Sequence, residues 1–160
     1  MRIEAELSKR GLKLPDIHKP PPGVHFSFEW VRVHGKTVYV SGHGPLKSDG
    51  SPLGPFGRVP SQVSIEDATG SARQAALSML SSLKRELGDL DRVTSWLRVR
   101  GLVNADPGFS LMTNVINGFS GRILELYGPE AGRHARSAIG VAALPLNFPV
   151  VVEAIVAIDD

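Results

Sequence analysis

The chain has 160 residues, 42% hydrophobic and 21% charged, with a formal net charge of +2 and no cysteine. These values fit one globular domain with a real core, and they exclude a disulfide framework, a thiolate nucleophile and a zinc–cysteine cluster. The 18 Lys and Arg are scattered and aromatic residues make up only 6%, so a nucleic-acid partner is not expected.

In chain order, residues 1–12 predict a short amphipathic helix with Ile3 and Leu7 on its apolar side, its Lys and Glu forming a solvated face, and Gly11 ending it. Pro15 and Pro20-Pro21-Pro22-Gly23 then force an extended connection. We read residues 1–24 as an N-terminal arm and residues 25–160 as a single domain. Phe26–Val33 and Thr37–Ser41 are strand-like runs around His34-Gly35-Lys36, a hairpin signal. The second run passes into Gly42-His43-Gly44-Pro45, whose glycines admit close approach by a ligand or by another loop. The proline- and glycine-rich stretch 45–62 predicts a long loop, functional or interfacial.

Ser64 followed by Asp67 marks a capped helix start. Ala68, Ala72, Ala75, Ala76, Met79, Leu80, Leu83 and Leu87 then repeat at three and four, and Gly88 ends the helix. Strict alternation over Val93–Val103 puts Val93, Leu97, Val99 and Val103 on one face and Thr94, Trp96, Arg98, Arg100 and Leu102 on the other. Two arginines on one strand face suit phosphates, a neighbouring subunit or solvent. A second helix, about Phe109–Leu126, carries an apolar stripe. Its other side has Asn114, Asn117, Gly118 and Gly121, small or amide residues that permit close approach, and Gly128-Pro129 ends it.

The last stretch reads as strand, turn, strand, with two charges that look placed: Arg136 and Glu153. Around Glu153 both faces of the run Val150–Ile158 are apolar, which predicts a central strand covered on both sides and a mostly buried carboxylate. Such a group needs a cation, donors or a proton; it is either a general acid–base or an ion pair that fixes register or a subunit contact. Arg136 is either its functional companion or a solvated strand-end charge. The five histidines, His18, His25, His34, His43 and His134, show no metal-ligand spacing and are expected at the surface or in turns. No secretory segment or membrane-length run is recognisable, which predicts a cytoplasmic protein with no membrane partner.

The order hairpin, helix, strand, helix, strand, strand predicts an α+β two-layer domain, a mixed sheet with two helices on one face. Trp96, Tyr39 and Ile155 make the other face too apolar to leave in water, which predicts a homo-oligomer with sheets facing an interior.

Five short motifs in this order, Val40-Ser41-Gly42, Ala72-Arg73-Gln74, Ala135-Arg136-Ser137, Leu144-Pro145 and Val152-Glu153-Ala154-Ile155, resemble the YjgF/RidA family, also labelled endoribonuclease L-PSP, over residues 26–158. The arm and the segment Gly132–Ala138 resemble a less characterised branch of it. The resemblance implies a chorismate-mutase-like fold, a homotrimer with clefts between subunits, no cofactor, no metal, and a small-molecule carboxylate substrate. It implies that Arg136 holds the carboxylate of a reactive 2-imino or enamine acid. Glu153 stands near the attacking water, Ser41 and Gly42 surround the substrate, and Asn117 is a polar helix residue at the cleft. Ser137 and Ala138 continue the arginine strand. Ala138 stands where the family's deaminases usually carry cysteine and Phe28 where they usually carry tyrosine. Carboxylate binding should therefore survive better than turnover. Three readings follow: an imine deaminase, a non-catalytic carboxylate binder, and, from the family label with Arg98, Arg100 and Arg133, a ribonuclease.

Overall fold

A computed structural model describes residues 1–160. The elements are α1 (Arg2–Lys9), β1 (Val31–His34), β2 (Thr37–His43), α2 (Ile65–Leu87), β3 (Val93–Asn104), α3 (Met112–Ala131), β4 (Ala135–Val141) and β5 (Val150–Ile158). The sheet order is β1-β2-β5-β3-β4, with β3 and β4 parallel and the other pairs antiparallel. Both long helices lie on one face, as the α+β reading expects.

The helix α2 follows its sequence pattern closely. Ser64 accepts a hydrogen bond from the Asp67 amide at 3.0 Å, and Gly88 closes the helix at φ 83°. All eight stripe residues from Ala68 to Leu87 are buried. The hairpin is also as expected: His34 pairs with Thr37 across a two-residue Gly35-Lys36 loop, with Gly35 at φ 63°.

Four expectations are corrected. First, the strand predicted from Phe26 begins only at Val31. Phe26, Phe28 and Trp30 leave the ladder and pack on one another, with ring centroids 4.9–5.7 Å apart, and His18 of the arm stacks on Trp30. Aromatic edge-to-face packing here replaces strand pairing.

Second, β3 does not alternate strictly. Its register against β5 shifts between Val93 and Ser95 and again between Trp96 and Arg98. Each bulge inserts one residue and reverses the faces that follow or precede it. Trp96 is therefore 1% exposed, in the core against Phe119 and Tyr127, while Leu97 faces outward. Tyr39 and Ile155 remain on the open face without Trp96.

Third, the Lys and Glu of α1 do not all form a solvated face. Ile3 and Leu7 are buried in the common core. Glu4 receives Lys84 Nζ at 2.8 Å and the Leu90 amide at 3.2 Å, so this carboxylate ties α1 to α2 rather than to water. The following segment is tied too: Asp16 and Lys19 amides donate to the Ser48 and Gly50 carbonyls, and Ser81 donates to the Pro15 carbonyl.

Fourth, the helix predicted over Phe109–Leu126 starts at Met112 and carries one further turn to Ala131 past a break at Gly128, whose φ is 79°. Its stripe residues Ile116, Phe119, Ile123 and Leu126 are buried as expected.

The close approach predicted for the small residues of α3 is real and local. A Cβ added at Gly118 would lie 2.3 Å from the Thr69 carbonyl oxygen of α2, whereas one at Gly121 meets nothing nearer than Arg73 Nη1 at 3.8 Å. Backbone crowds one glycine and a flexible side chain touches the other. Gly118→Ala should therefore destabilise by about 2 kcal/mol, overpacking outweighing the gain in helix propensity. Gly121→Ala should stabilise by up to ~1 kcal/mol. Urea unfolding of the two variants checks this, and shifts of the same sign would refute it.

Candidate functional site

Lateral neighbours in a sheet share a face, so the registers place every candidate strand residue. Arg136 pairs with Val99, which pairs with Ala154, and Val99 and Ala154 are buried under the helices. Arg136 therefore points to the helix side. Ser137 pairs with Arg100, and Arg100 with Glu153, which puts these three on the open side. Ala138 pairs with Gly101 and packs against the core. Within one chain the two placed charges stand on opposite faces with β3 between them.

On the helix side, Arg136 Nη1 donates to Asn117 Oδ1 at 2.8 Å and to Ser120 Oγ at 3.0 Å. Both partners lie on α3, three residues apart, so one helix face presents them together. Ser120 also meets His134 Nε2 at 2.8 Å, and His134 Nδ1 lies 2.8 Å from the Gly132 carbonyl. A carbonyl only accepts, so Nδ1 carries the proton, Nε2 accepts from the Ser120 hydroxyl, and Ser120 in turn accepts from Arg136. The chain of bonds has one direction and holds one edge of the guanidinium. No carboxylate lies within ion-pairing distance of Arg136. Partial burial pushes its pKa below the ordinary arginine value. Burial also lowers that of His134, opposed by its bond to the Gly132 carbonyl and helped by the nearby Arg136 charge. A recess of about 240 Å³ opens here between Ser120, Leu124, Arg133, His134 and Arg136.

On the open side a cavity of about 340 Å³ is lined by residues of β1, β2, β3 and β5, among them Ser41, Glu153, Arg100 and Tyr39. Glu153 is not buried, contrary to expectation: its side chain is 45% exposed and pairs with Arg100 at 3.5 Å. The physical reason is that both helices cover the same face, so the apolar residues on the other side of β5 remain open in the single chain. Ser41 donates its hydroxyl to the Glu29 carbonyl at 2.6 Å. Phe28 is 51% exposed and is in ring contact with Phe26 and Trp30. The glycines around Ser41 serve packing: a Cβ at Gly42 would press on Val151, and one at Gly44 on the Phe148 ring.

His43 departs furthest from its expected surface position, being 3% exposed. Its Nδ1 lies 2.5 Å from the Ser41 carbonyl and its Nε2 2.8 Å from Ser82 Oγ, which also receives Arg85 Nη2 at 3.0 Å. By the same donor logic the imidazole is neutral, with the proton on Nδ1. It fixes the backbone at Ser41, just where the register of β2 against β5 shifts. Burial pushes its pKa down to about 4, with the Ser41 bond opposing and the His18 and Arg85 charges adding to the shift.

The sequence does not single out Ser120, reads His43 and His134 only as surface or turn histidines, and marks Arg100 only as one of two arginines on a strand face. The segment Arg133-His134-Ala135-Arg136 carried a signal for His134, since two residues apart on a strand share a face. Ser120, three residues beyond Asn117, was accessible by helix spacing. No helix of the protein is long and apolar enough to cross a membrane.

Comparison with known proteins agrees with this architecture. The model of the family described as Endoribonuclease L-PSP matches residues 16–158. Protein TCP17 of Trypanosoma cruzi is 35% identical over 159 residues, covering 99% of this chain and 96% of that protein. Among solved structures, Atu1372 of Agrobacterium tumefaciens, a protein of unknown function, superposes with a TM-score of 0.85 at 33% identity, covering 99% of this chain and 94% of its own. A candidate endoribonuclease from Shewanella oneidensis superposes with a TM-score of 0.88 at 26% identity, covering 99% of this chain and all of its own. With its sheet, its helix layer and nearly its whole length matched, the chain belongs to the endoribonuclease L-PSP family, the YjgF/RidA proteins.

Proposed function

We propose that the protein is a cofactor-free deaminase that hydrolyses reactive 2-imino and enamine acids in a cleft between copies of the chain. The observation that carries this reading is Arg136: a guanidinium held on one edge by two neutral oxygens, Asn117 Oδ1 and Ser120 Oγ, with no carboxylate of its own. A planar fork so oriented is complementary to a substrate carboxylate.

The other half of the chemistry lies on the opposite face, so Arg136 of one copy has to meet Ser41 and Glu153 of another. A homotrimer with open faces turned inward achieves that and covers Tyr39 and Ile155. In the cleft, water adds to the imine carbon and Glu153 takes its proton. Glu153 passes that proton to the imine nitrogen, giving the carbinolamine; on collapse it takes the hydroxyl proton as the C=O bond forms and delivers it to the nitrogen as the C–N bond breaks. Ammonia and a 2-oxo acid leave. Arg100, paired with Glu153, holds that carboxylate in place. Gly42 and Ser137 form walls of the site, and Ala138 and Phe28 supply shape without the thiol and phenol of the better-known deaminases.

A second reading, a non-catalytic binder of small carboxylates, is favoured by one observation: the Ser41 hydroxyl is already spent on the Glu29 carbonyl, so with Phe28 and Ala138 the pocket has few groups left to orient water. Ribonuclease activity, which the family label names, has less support, because His43 is buried and both nitrogens of His134 are engaged.

The experiment is ammonia release from imines generated in situ by an amino-acid oxidase. The protein should accelerate release about tenfold or more over buffer. No acceleration, together with a thermal shift from 2-oxo acids, would replace the deaminase by the binder.

A further inference from the structure

The guanidinium of Arg136 is committed on one nitrogen only. Nη1 donates to Asn117 Oδ1 at 2.8 Å and to Ser120 Oγ at 3.0 Å, whereas Nε and Nη2 have no acceptor in the chain. A carboxylate therefore docks on the Nε–Nη2 edge, and because Nη2 shares its planar group with Nη1, an oxygen bonded there comes close to Ser120. The recess of about 240 Å³ holds Arg136, Ser120 and His134 together. All three belong to α3 and the chain entering β4 of one copy, so Ser120 and His134 accompany Arg136 whatever a neighbouring copy covers.

In the free protein Ser120 has no hydrogen to give a ligand. Its hydroxyl donates to His134 Nε2 at 2.8 Å, because Nδ1 carries the imidazole proton toward the Gly132 carbonyl. A second proton on the ring reverses that bond. Nε2 then donates to Ser120 Oγ, which accepts from both His134 and Arg136, and the hydroxyl rotates to turn its own hydrogen into the recess. The proton comes from solvent, and no bond to the Ser120 oxygen breaks. Burial first and then the Arg136 charge oppose this state in the free protein, holding His134 below its ordinary pKa. A carboxylate on Arg136 cancels that charge and accepts the freed hydrogen, so ligand and proton favour each other. Arg133 is the other charged group of the recess and also opposes an imidazolium, while α3 contributes only Ser120 and Leu124.

We propose that Ser120 is a further donor to the substrate carboxylate and that His134 is the positioning residue that frees it, so that the site takes up a proton together with its ligand. The inference rests on the proposed function for the carboxylate role of Arg136. It adds two residues to the site and gives binding a direction in pH. Affinity rises as the pH falls, because the protonated ring belongs to the liganded state.

The test is calorimetric titration of the full chain with 2-oxobutyrate, whose carboxylate stays ionised throughout, between about pH 7.5 and about pH 5.5. Repeating it in buffers of different ionisation enthalpy reads the protons taken up. Wild-type affinity should rise about fivefold or more over that interval, with proton uptake. His134→Gln should show a flat affinity and no uptake; His134→Asn serves if that variant does not fold. Ser120→Ala should keep a rise of about twofold, from charge alone, and Ser120→Thr, which retains a hydroxyl, should restore most of the rest. A flat wild-type profile or a full rise in Ser120→Ala would overturn the proposal. So would an unchanged rise in His134→Gln, which would assign the proton to Glu153, the carboxylate that the proposed function brings to the cleft from another copy. Arg136→Ala separates the two readings. If it abolishes binding while the His134 and Ser120 variants behave as wild type, this inference alone falls; if 2-oxobutyrate binding is indifferent to it, or absent from the wild type, both fall.

Discussion

Arg136→Ala should lower affinity for 2-oxo acids about a hundredfold or more and remove ammonia release with it. A bidentate pair between guanidinium and carboxylate contributes roughly 3 kcal/mol when each charge-assisted bond is worth ~1.5 kcal/mol or more. That converts to a factor above ~100. Stability should hardly change, because the side chain lies at the sheet edge and its partners, Asn117 and Ser120, keep access to solvent or to His134. Arg136→Lys is the sharper control. It restores the charge but not the fork, and should recover only part of the affinity. Titration with 2-oxobutyrate, alongside a urea midpoint for each variant, measures both effects. Unchanged binding in a folded Arg136→Ala protein would remove the observation on which the proposed function stands.

The second large effect concerns acid. In the unfolded chain His43 takes up a proton at its ordinary pKa of 6.5, whereas in the folded protein burial delays this to about 4. Between those values the unfolded state binds more protons, so stability falls as the pH falls. It is unaffected above about pH 6.5 and reaches its full loss, about 3 kcal/mol, near pH 4. The physical event is the arrival of a second N–H at Nε2. That nitrogen now accepts from Ser82, and Arg85 already donates to the same hydroxyl. His18 and His134, also held below the ordinary value chiefly by burial, act in the same direction. The comparison that isolates His43 is therefore between wild type and His43→Gln, which keeps polar contacts but does not titrate. Denaturant midpoints at pH 7 and pH 4.5 should fall further in the wild type. Parallel declines would show that His43 is not the group responsible.

The helix layer was legible because its signals are local and redundant. A serine cap, eight apolar residues at helical spacing and a terminal glycine all name the same helix, and α2 begins and ends where they say. The sheet was legible as a set of strands but not as a set of faces. Bulges carry no residue signature in β3, and alternation is a rule without memory of a skipped step, so Trp96 and Leu97 exchanged places. Glu153 was placed on the right strand yet misjudged in burial, because hydrophobicity on both faces of β5 does not say whether one face is covered by this chain or by another. Arg136 stood out as one of two placed charges and Asn117 as an amide on the polar side of the second helix, and the resemblance added their roles. Ser120 and His134, which complete the holder of Arg136, lay within reach of simple spacing but had no motif to point to them. His43 shows the opposite failure: a histidine between two glycines reads as a loop residue, and only the packing of β2 on α2 makes it internal.

The sheet order has a consequence for how the protein comes to exist. The central strand, β5, follows every other strand in the chain, yet it is the one that joins the β1-β2 hairpin to the β3-β4 pair. Until it arrives, the ribosome has released two separate pieces of sheet and two helices with no continuous surface to lie on. The decisive contacts all span long loops, which makes closure slow relative to a helical bundle of this size. During that interval the facing edges of β2 and β3 both expose unpaired backbone groups, the surfaces most open to pairing with a wrong strand. Correct assembly is therefore a race between the final strand and any other strand that reaches those edges first.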